Sequence, residues 1–287
     1  MIVTGEIDKI REERWANPGL SWGTVLTMGS LHDGHLSLVR RAREENDRLS
    51  VSIFINPTQF GSSKDLLTYP HDIDRDIQLL AGENVDLVFV PSEDLMYPPG
   101  YQTKILVEKV AQPLEGAARS GHFSGVATIV AKLFNILEPD RAYFGQKDAQ
   151  QAIVISRMVK DLNFKVDIMM CPIIRESDGL AMSSRNVRLS LEQRIAASVL
   201  HKALEAAEKR IISGETNAES LREQMRRIIH SEPLAKLDYV SVADPRSLEE
   251  VEEVDSGVLL SLAVYFGDVR LIDNILIGGD ILGAKSS

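Results

Sequence analysis

The sequence predicts an α/β protein: a doubly wound, Rossmann-like parallel sheet followed by a smaller C-terminal α+β domain. Three observations carry this. Between Trp22 and Pro172, runs of strand length that are apolar on both faces alternate with segments of helical period. That is the pattern of a parallel sheet covered by helices on each side. After "CPIIRESDGLAMSSRN" the alternation stops, and two charged helical stretches precede three clustered strand-like runs. The length, 287 residues, exceeds one small core and suits one large or two ordinary domains. The expected division is 1–173 for the sheet and 174–287 for the second unit.

In chain order, "GTVLTMG" reads as a buried strand and "DGHLSLVRRAREEN" as a helix with Leu36, Val39 and Ala42 on one face. "LSVSIFIN" is a second strand, stopped by Pro57. The helix "DIDRDIQLLAGEN", the strand "VDLVFVP" and the helix "FSGVATIVAKLFNIL" follow. The short strand "RAYFG" and the helix "DAQQAIVISRMVKDLN" complete the alternation. Beyond it, helices are expected over residues 191–213 and 218–230. The strands "LDYVSVAD", "GVLLSLAVYFG" and "VRLIDNILI" come next, with a hairpin turn at Gly267-Asp268. The closing "GAKSS" reads as a frayed end.

Composition narrows the function. A formal charge of -10 and only 6% aromatic residues oppose a basic, base-stacking surface, so nucleic acid is not an expected partner. Cys171 is the single cysteine and lies in the apolar "IMMCPII"; it can form no internal disulfide and reads as a buried bystander. The N-terminus "MIVTGEIDKIREER" has no apolar signal core, and no run approaches the ~20 apolar residues of a membrane span. A soluble cytoplasmic protein is expected.

The chemistry concentrates where strands meet helices. In "TMGSLHDGH" a strand runs into a helix start, a junction that aims backbone N–H groups at the ligand crevice and favours an anion. Gly29 and Gly34 allow close approach, and Asp33 can cap the helix. His32 and His35, three apart, lie on one side of the first turn and can donate to phosphate oxygens, more strongly when charged. Asn56 and Gln59, at the end of the next strand, should reach the same crevice, and uncharged amides suit a ligand with hydroxyls and a carboxylate. Lys147 in "YFGQKDAQQ" stands near a helix start, a conflict that a phosphate between dipole and ammonium resolves. "AMSSRN" offers Ser183, Ser184 and Arg185, a set shaped for a departing pyrophosphate. Asp76 is the candidate to approach a magnesium ion, although a charged helix face explains that stretch as well.

Taken together, "TMGSLHDGH", "SIFINPTQFG", "YPHDIDRD", "GHFSGVATIV", "YFGQKDAQQ" and "DGLAMSSRN" resemble, in order, the motifs of the pantothenate synthetases. These are ATP-dependent ligases of the class I nucleotidyltransferase superfamily that join pantoate to β-alanine. The resemblance covers about residues 22–190. It implies an ATP site of Met28, Gly29, Ser30, Leu31, His32, Asp33, Gly34 and His35, then Gly145, Gln146, Lys147 and Asp148, then Ile174, Met182, Ser183, Ser184 and Arg185. It implies Gln59 and Gln151 on pantoate, with Asn56 and Arg119 beside them, and Gln59 also on β-alanine. Val126, Ile129 and Val130 would form an apolar wall. His35, His32 and Lys147 are the expected catalytic groups, ATP a substrate, Mg2+ its ion with Asp76 the candidate ligand, and a homodimer the assembly. One position departs from the pattern: Leu26 stands where the family usually has proline.

Two other readings remain open at this stage. One is a different adenylyl-transferring enzyme, an aminoacyl-tRNA synthetase or a cytidylyltransferase; the acidic charge and the absence of an anticodon-sized appendage oppose the synthetase. The other is a nucleotide-binding sensor without catalysis, which the intact His32, His35, Lys147 and Ser184 oppose.

Overall fold

Val25, Leu49, Val51 and Val88 come from three neighbouring strands and are all fully buried. Sequence neighbours such as Thr24, Ser50 and Phe89 are buried too. Both faces of these strands are therefore covered, as a parallel sheet with helices on each side requires. A computed structural model of the chain describes residues 1–61 and 63–282; the "GAKSS" end lies outside them. The large sheet contains β1 (Ile2–Thr4), β2 (Trp22–Thr27), β3 (Arg48–Ile53), β4 (Leu87–Phe89), β5 (Arg141–Gly145) and β6 (Asp167–Cys171). Its order is β1-β4-β3-β2-β5-β6, every pairing parallel.

The order reverses between β2 and β5. β2 continues to β3 on one side, while β5 lies on its other side and leads outward to β6. At such a switch point the loops leaving the strands' carboxyl ends diverge and open a crevice. The loops after Thr27 and Gly145 flank that crevice. The helix Asp33–Glu45 covers one face, burying Leu36, Leu38, Val39 and Ala42. The helix His122–Leu137 covers the other and is apolar almost all round, so it runs through the core rather than over it.

The second sheet is antiparallel: β7 (Lys236–Ala243), β8 (Val258–Phe266) and β9 (Val269–Ile277). Phe266 pairs with Val269 across the two-residue turn at Gly267-Asp268, with Gly267 at φ 59°. Helices Val199–Ile212 and Ala218–His230 share a core with one face of this sheet. The other face meets the large sheet's helices: Leu259 and Leu276 pack with Ala149 and Ile153. The carboxylate of Glu115, on the first unit, accepts two bonds from the Arg270 guanidinium (2.7 and 2.9 Å) and one from the Tyr239 hydroxyl (3.0 Å).

Several expectations need amending. The helix expected over residues 191–213 is two helices, Leu191–Ala196 and Val199–Ile212. Ser198 sits at the break, its hydroxyl donating to the Ile195 carbonyl, the local competition with helix bonding that serine offers. Several elements had no expectation, among them β1, the helix Ile7–Ala16, β6 and the short helices Ser63–Leu67, Glu93–Met96 and Glu115–Ala118. The helix Ile7–Ala16 buries Ile10 alone, and β6 is half-exposed along most of its length, so neither shows the periodicity that burial imposes.

One glycine ties the fold to the site. A Cβ on Gly125 would stand 2.5 Å from the Thr58 carbonyl oxygen, so the helix His122–Leu137 and the turn after β3 touch there. Gly125→Ala is expected to lower stability by about 1–3 kcal/mol, the scale of overpacking, in urea unfolding; an unchanged midpoint would show that the turn yields freely.

Candidate active site

The first turn of the helix Asp33–Glu45 is capped by imidazoles. His32 is the N-cap residue, in place of the expected Asp33, which is exposed. The Gly34 N–H donates to His32 Nδ1 (3.1 Å), and the His32 N–H donates to His35 Nδ1 (3.4 Å). This is a capping box in which both side chains are histidines. An Nδ1 that accepts an N–H is unprotonated, so each neutral ring carries its proton on Nε2. The rings lie 4.1 Å apart, centroid to centroid, tilted by 41°, and both line the same cleft.

Their environment keeps them neutral. Burial, then the Lys147 charge, lowers the His32 pKa to about 4. Burial, then His32, lowers that of His35 to about 3. In the free protein the two rings are therefore neutral Nε2–H donors lining the cleft, without the added strength that charge would give.

The preceding loop turns three successive amides inward. The Gly29 N–H donates to the Thr27 hydroxyl (3.2 Å), and those of Ser30 and Leu31 to the two oxygens of Asp76 (2.7 and 2.8 Å). Asp76 is 1% exposed and Leu31 belongs to the core. The expectation that Asp76 meets magnesium is corrected. Its carboxylate is spent holding the loop, and it is not among the residues that line the cleft. Gly29, at φ 83°, leaves room for that carboxylate, since a Cβ would lie 3.0 Å from Oδ2.

At the end of β3, Asn56 is 1% exposed with its whole amide engaged. Oδ1 accepts from Tyr97 (2.7 Å) and Thr58 (2.9 Å); Nδ2 donates to Gln59 Oε1 (3.0 Å) and the Gly125 carbonyl (3.2 Å). Asn56 lines the cleft with Gln59, as expected, and its amide bonds are directed at neighbouring protein groups, so that it orients Gln59. Gln59 has its oxygen occupied and its Nε2 near Met28 Sδ (3.0 Å), a weak acceptor. His122 Nδ1 donates to the Gln59 carbonyl (2.7 Å), as does Arg119 (3.2 Å). Arg119 thus supports the turn while itself lining the cleft.

Lys147 lies on the turn Gln146–Asp148 after β5, its ammonium 3.9 Å from the Asp148 carboxylate. Burial pushes Asp148 up, but Lys147, Arg185 and the nearby imidazoles outweigh it, and the carboxyl stays below its ordinary range. The serine loop arrives from the far side. Ser184 donates to the Ser30 carbonyl (3.1 Å), Met182 N–H to the Ile174 carbonyl (2.9 Å), and Arg185 pairs with Asp65 (3.1 Å).

One cleft thus gathers Met28, His32, Gly34 and His35; Gly145, Lys147 and Asp148; Ile174, Met182, Ser183, Ser184 and Arg185; and Gln59, Arg119 and Gln151, with Val126, Ile129 and Val130 as an apolar wall. Gly29, Ser30, Leu31, Asp33 and Gln146 stand outside its lining. Residues separated by up to half the chain meet around one space.

A profile of the pantoate-beta-alanine ligase family matches residues 3–276. The chain belongs to that family. It is 58% identical to the pantothenate synthetase of Roseiflexus sp. (strain RS-1), covering 96% of this chain and 99% of that protein. It is 55% identical to that of Chloroflexus aurantiacus, covering 98% and 99%. A solved pantothenate synthetase of Thermus thermophilus superimposes with a TM-score of 0.91 at 42% identity, over 96% of this chain and 99% of that one. A pantoate-beta-alanine ligase of Francisella tularensis, solved with beta-gamma ATP and beta-alanine, gives 0.79 at 37% identity, over 96% and 97%. Leu26, where the family usually has proline, stays in the ladder opposite Ser52 and lines the cleft.

Tyr97, Asp273 and Asn274 had no place among the expected residues. Asp273 and Asn274 interrupt the otherwise apolar "LIDNILI", and an adjacent polar pair inside a strand was the available sign. Cys171 is buried, its thiol pushed up by that burial, as a bystander should be.

Two outcomes follow from this geometry. Unfolded imidazoles protonate near pH 6.5, whereas His32 and His35 resist protonation until about 4 and 3. The unfolded chain thus binds more protons in between, and stability should fall as pH drops from 6.5 toward 4. A urea midpoint that is flat across that window, or imidazole NMR showing Nδ1–H tautomers, would contradict it. Asp76→Ala should cost about 2–4 kcal/mol in the metal-free protein, the scale of two stranded N–H groups. A stability loss seen only with magnesium present would return Asp76 to the metal.

Proposed function

We infer that this chain is a pantoate–β-alanine ligase: it condenses pantoate with β-alanine at the expense of ATP, releasing AMP and pyrophosphate. The observation that carries the reading is that His35, Lys147 and Ser184 line one cleft at the switch point of the sheet. Such a set, neutral donors beside cationic ones, suits a single triphosphate.

In the first step a carboxylate oxygen of pantoate attacks the α-phosphorus. An acyl–phosphate bond forms, the α–β bridging bond breaks, and the electron pair leaves on pyrophosphate. In the second step the β-alanine amine attacks the acyl carbon; the amide forms, the acyl–oxygen bond breaks, AMP departs and the amine's proton passes to solvent. The phosphate activates the acyl group, so no side chain needs to form a covalent bond. The protein's work is to hold the reactants in line and to meet charge as it builds.

In this reading the Nε2–H groups of His32 and His35 donate to the phosphate undergoing attack. Lys147 compensates the triphosphate, and Ser183, Ser184 and Arg185 receive the leaving pyrophosphate. Gln59 and Gln151 take pantoate's hydroxyls and carboxylate against the apolar wall, and Gln59 also takes β-alanine. Magnesium fits this site as a companion of the nucleotide. No group of three or more metal-capable side chains occurs among the described residues, and Asp148 is the carboxylate among those lining the cleft. The ion would draw its ligands from phosphates and water with Asp148 beside them, and its chemistry there is to neutralise phosphate charge.

The same proposal divides the chain at residues 173 and 174, with the serine loop carried by the second domain, and takes the assembly to be a homodimer. It places the enzyme in the cytoplasm; among the described residues no helix is long and apolar enough to cross a membrane.

The deciding assay is ATP–pyrophosphate exchange, expected to require pantoate and to ignore amino acids; amino-acid-dependent exchange would overturn the ligase reading. His35→Ala should lose at least ~100-fold in adenylation rate, the scale of one preorganised donor, with near wild-type exchange counting against its role. Lys147→Met should depress adenylation more than pantoate binding, and equal losses would move Lys147 out of the triphosphate site.

A further inference from the structure

Alternate residues of β9 face opposite ways, and the two faces have different tasks. Val269, Leu271, Ile275 and Ile277 belong to the second domain's own core. Arg270, Asn274 and Leu276 face the first unit, through Glu115, the turn Gln146–Asp148 and the Ala149 cluster respectively. Asn274 is 3% exposed. Its Nδ2 donates to the backbone carbonyls of both Gln146 (2.9 Å) and Lys147 (3.0 Å), and its Oδ1 accepts from Gln146 Nε2 (3.2 Å). One side chain thus fixes the turn from which the Lys147 ammonium projects into the cleft.

Its neighbour grips the other half of the site. Asp273 is 1% exposed and forms a two-point pair with Arg175 (2.6 and 3.0 Å). Arg175 also donates to the carbonyls of Gly179 (3.0 Å) and Asn274 (3.2 Å), and it bridges to Ala181. That hairpin presents Ile174 and Met182 to the cleft. Two consecutive residues of a strand that does not line the main cleft therefore hold the lysine turn and the serine-loop hairpin in one frame. Burying an asparagine amide and a carboxylate side by side is costly unless every group is paired, and here the partners lie on the turn that carries Lys147 and at the base of the hairpin that leads to the serine loop.

We propose that Asn274, braced by Asp273, is a positioning residue for adenylation: it sets where the Lys147 ammonium stands relative to the triphosphate. This rests on the ligase reading above. The role predicts a split between the half-reactions. Lys147 meets a triphosphate in the first step, whereas pyrophosphate has left before β-alanine attacks, so misplacing the lysine harms the first step selectively. A residue that merely holds two domains together harms both alike.

The test compares full-length wild type with Asn274→Asp, which keeps the volume and the acceptor but loses both donors, and with Asn274→Ala. Pantoate-dependent ATP–pyrophosphate exchange reads the first step. Single-turnover conversion of prepared pantoyl adenylate and β-alanine to pantothenate reads the second. Both are run well below each variant's melting midpoint. Asn274→Asp should lose ~30- to 100-fold in exchange, the scale of an ångström of misplacement, with amide formation and the KM for pantoate changed less than about threefold. Asn274→Ser, which can retain one donor, should fall between Asp and wild type, and it carries the test should the Asp variant fail to fold. Glu115→Gln, which loosens the seam at the other end of β9, should lower the melting midpoint yet leave the ratio of the half-reactions unchanged. Equal losses in both half-reactions, or exchange within about threefold of wild type, would overturn the proposal. Absence of exchange in the wild type would overturn the ligase reading and this inference with it.

Discussion

The site depends on how the start of the helix Asp33–Glu45 satisfies its own backbone. A helix N-terminus leaves amides without partners, and in many anion sites those amides meet the ligand directly. Here they do not. Two imidazoles and the Asp76 carboxylate absorb the donors of Ser30, Leu31, His32 and Gly34. The histidines then return the donor capacity from their opposite edges, as Nε2–H. The helix start thus reaches further into the cleft than its backbone could, and each ring is fixed in one tautomer. The cost is three polar partners, one of them the buried Asp76, that must all be present, which is why Gly29, Asp76 and the two histidines act as one unit.

Neutrality of these rings has a chemical consequence. A neutral donor at a phosphate gains strength as the oxygen gains charge, without binding the triphosphate so tightly beforehand that the gain is lost. Fixed positive charge comes from elsewhere, from Lys147 and Arg185. In the free protein Arg185 shares Asp65 with Arg188, so its charge is already partly matched. The overall charge of -10 therefore does not describe the cleft. The local field around the two rings is set mainly by Lys147 and Asp148, which act on both.

Much of this was legible in the sequence because burial imposes a pattern. β2 to β5 stand on both-face apolar runs, and the helices between them show a clear buried stripe, so the doubly wound sheet could be read directly. The order of six motifs led to the convergence of His35, Lys147 and Ser184. What escaped reading was of two kinds. Elements with weak burial, β6 and the helix Ile7–Ala16, carry little period. Partnerships set by tertiary geometry carry none: nothing local says that Asp76 faces Ser30 and Leu31 rather than a metal, or that Asn56 spends its amide on Tyr97, Thr58, Gln59 and Gly125. The capping histidines are intermediate, since the spacing was visible but the reversal of donor and acceptor roles was not.

The second sheet shows why a site of this kind extends beyond its lining. The lysine turn belongs to the first unit and the serine loop follows it by some forty residues, yet both are gripped by β9, nearly a hundred residues further on. The serine loop is also tied to the Ser30 carbonyl and to Asp65, but β9 is the element that grips the lysine turn and the serine hairpin together. Reaction at phosphorus requires donors fixed to within a fraction of an ångström. A buried acid–amide pair on a rigid antiparallel strand supplies that tolerance, because neither residue can move without leaving a polar group unpaired. The precision of the cleft is therefore a property of the seam between the two sheets as much as of the residues that touch it.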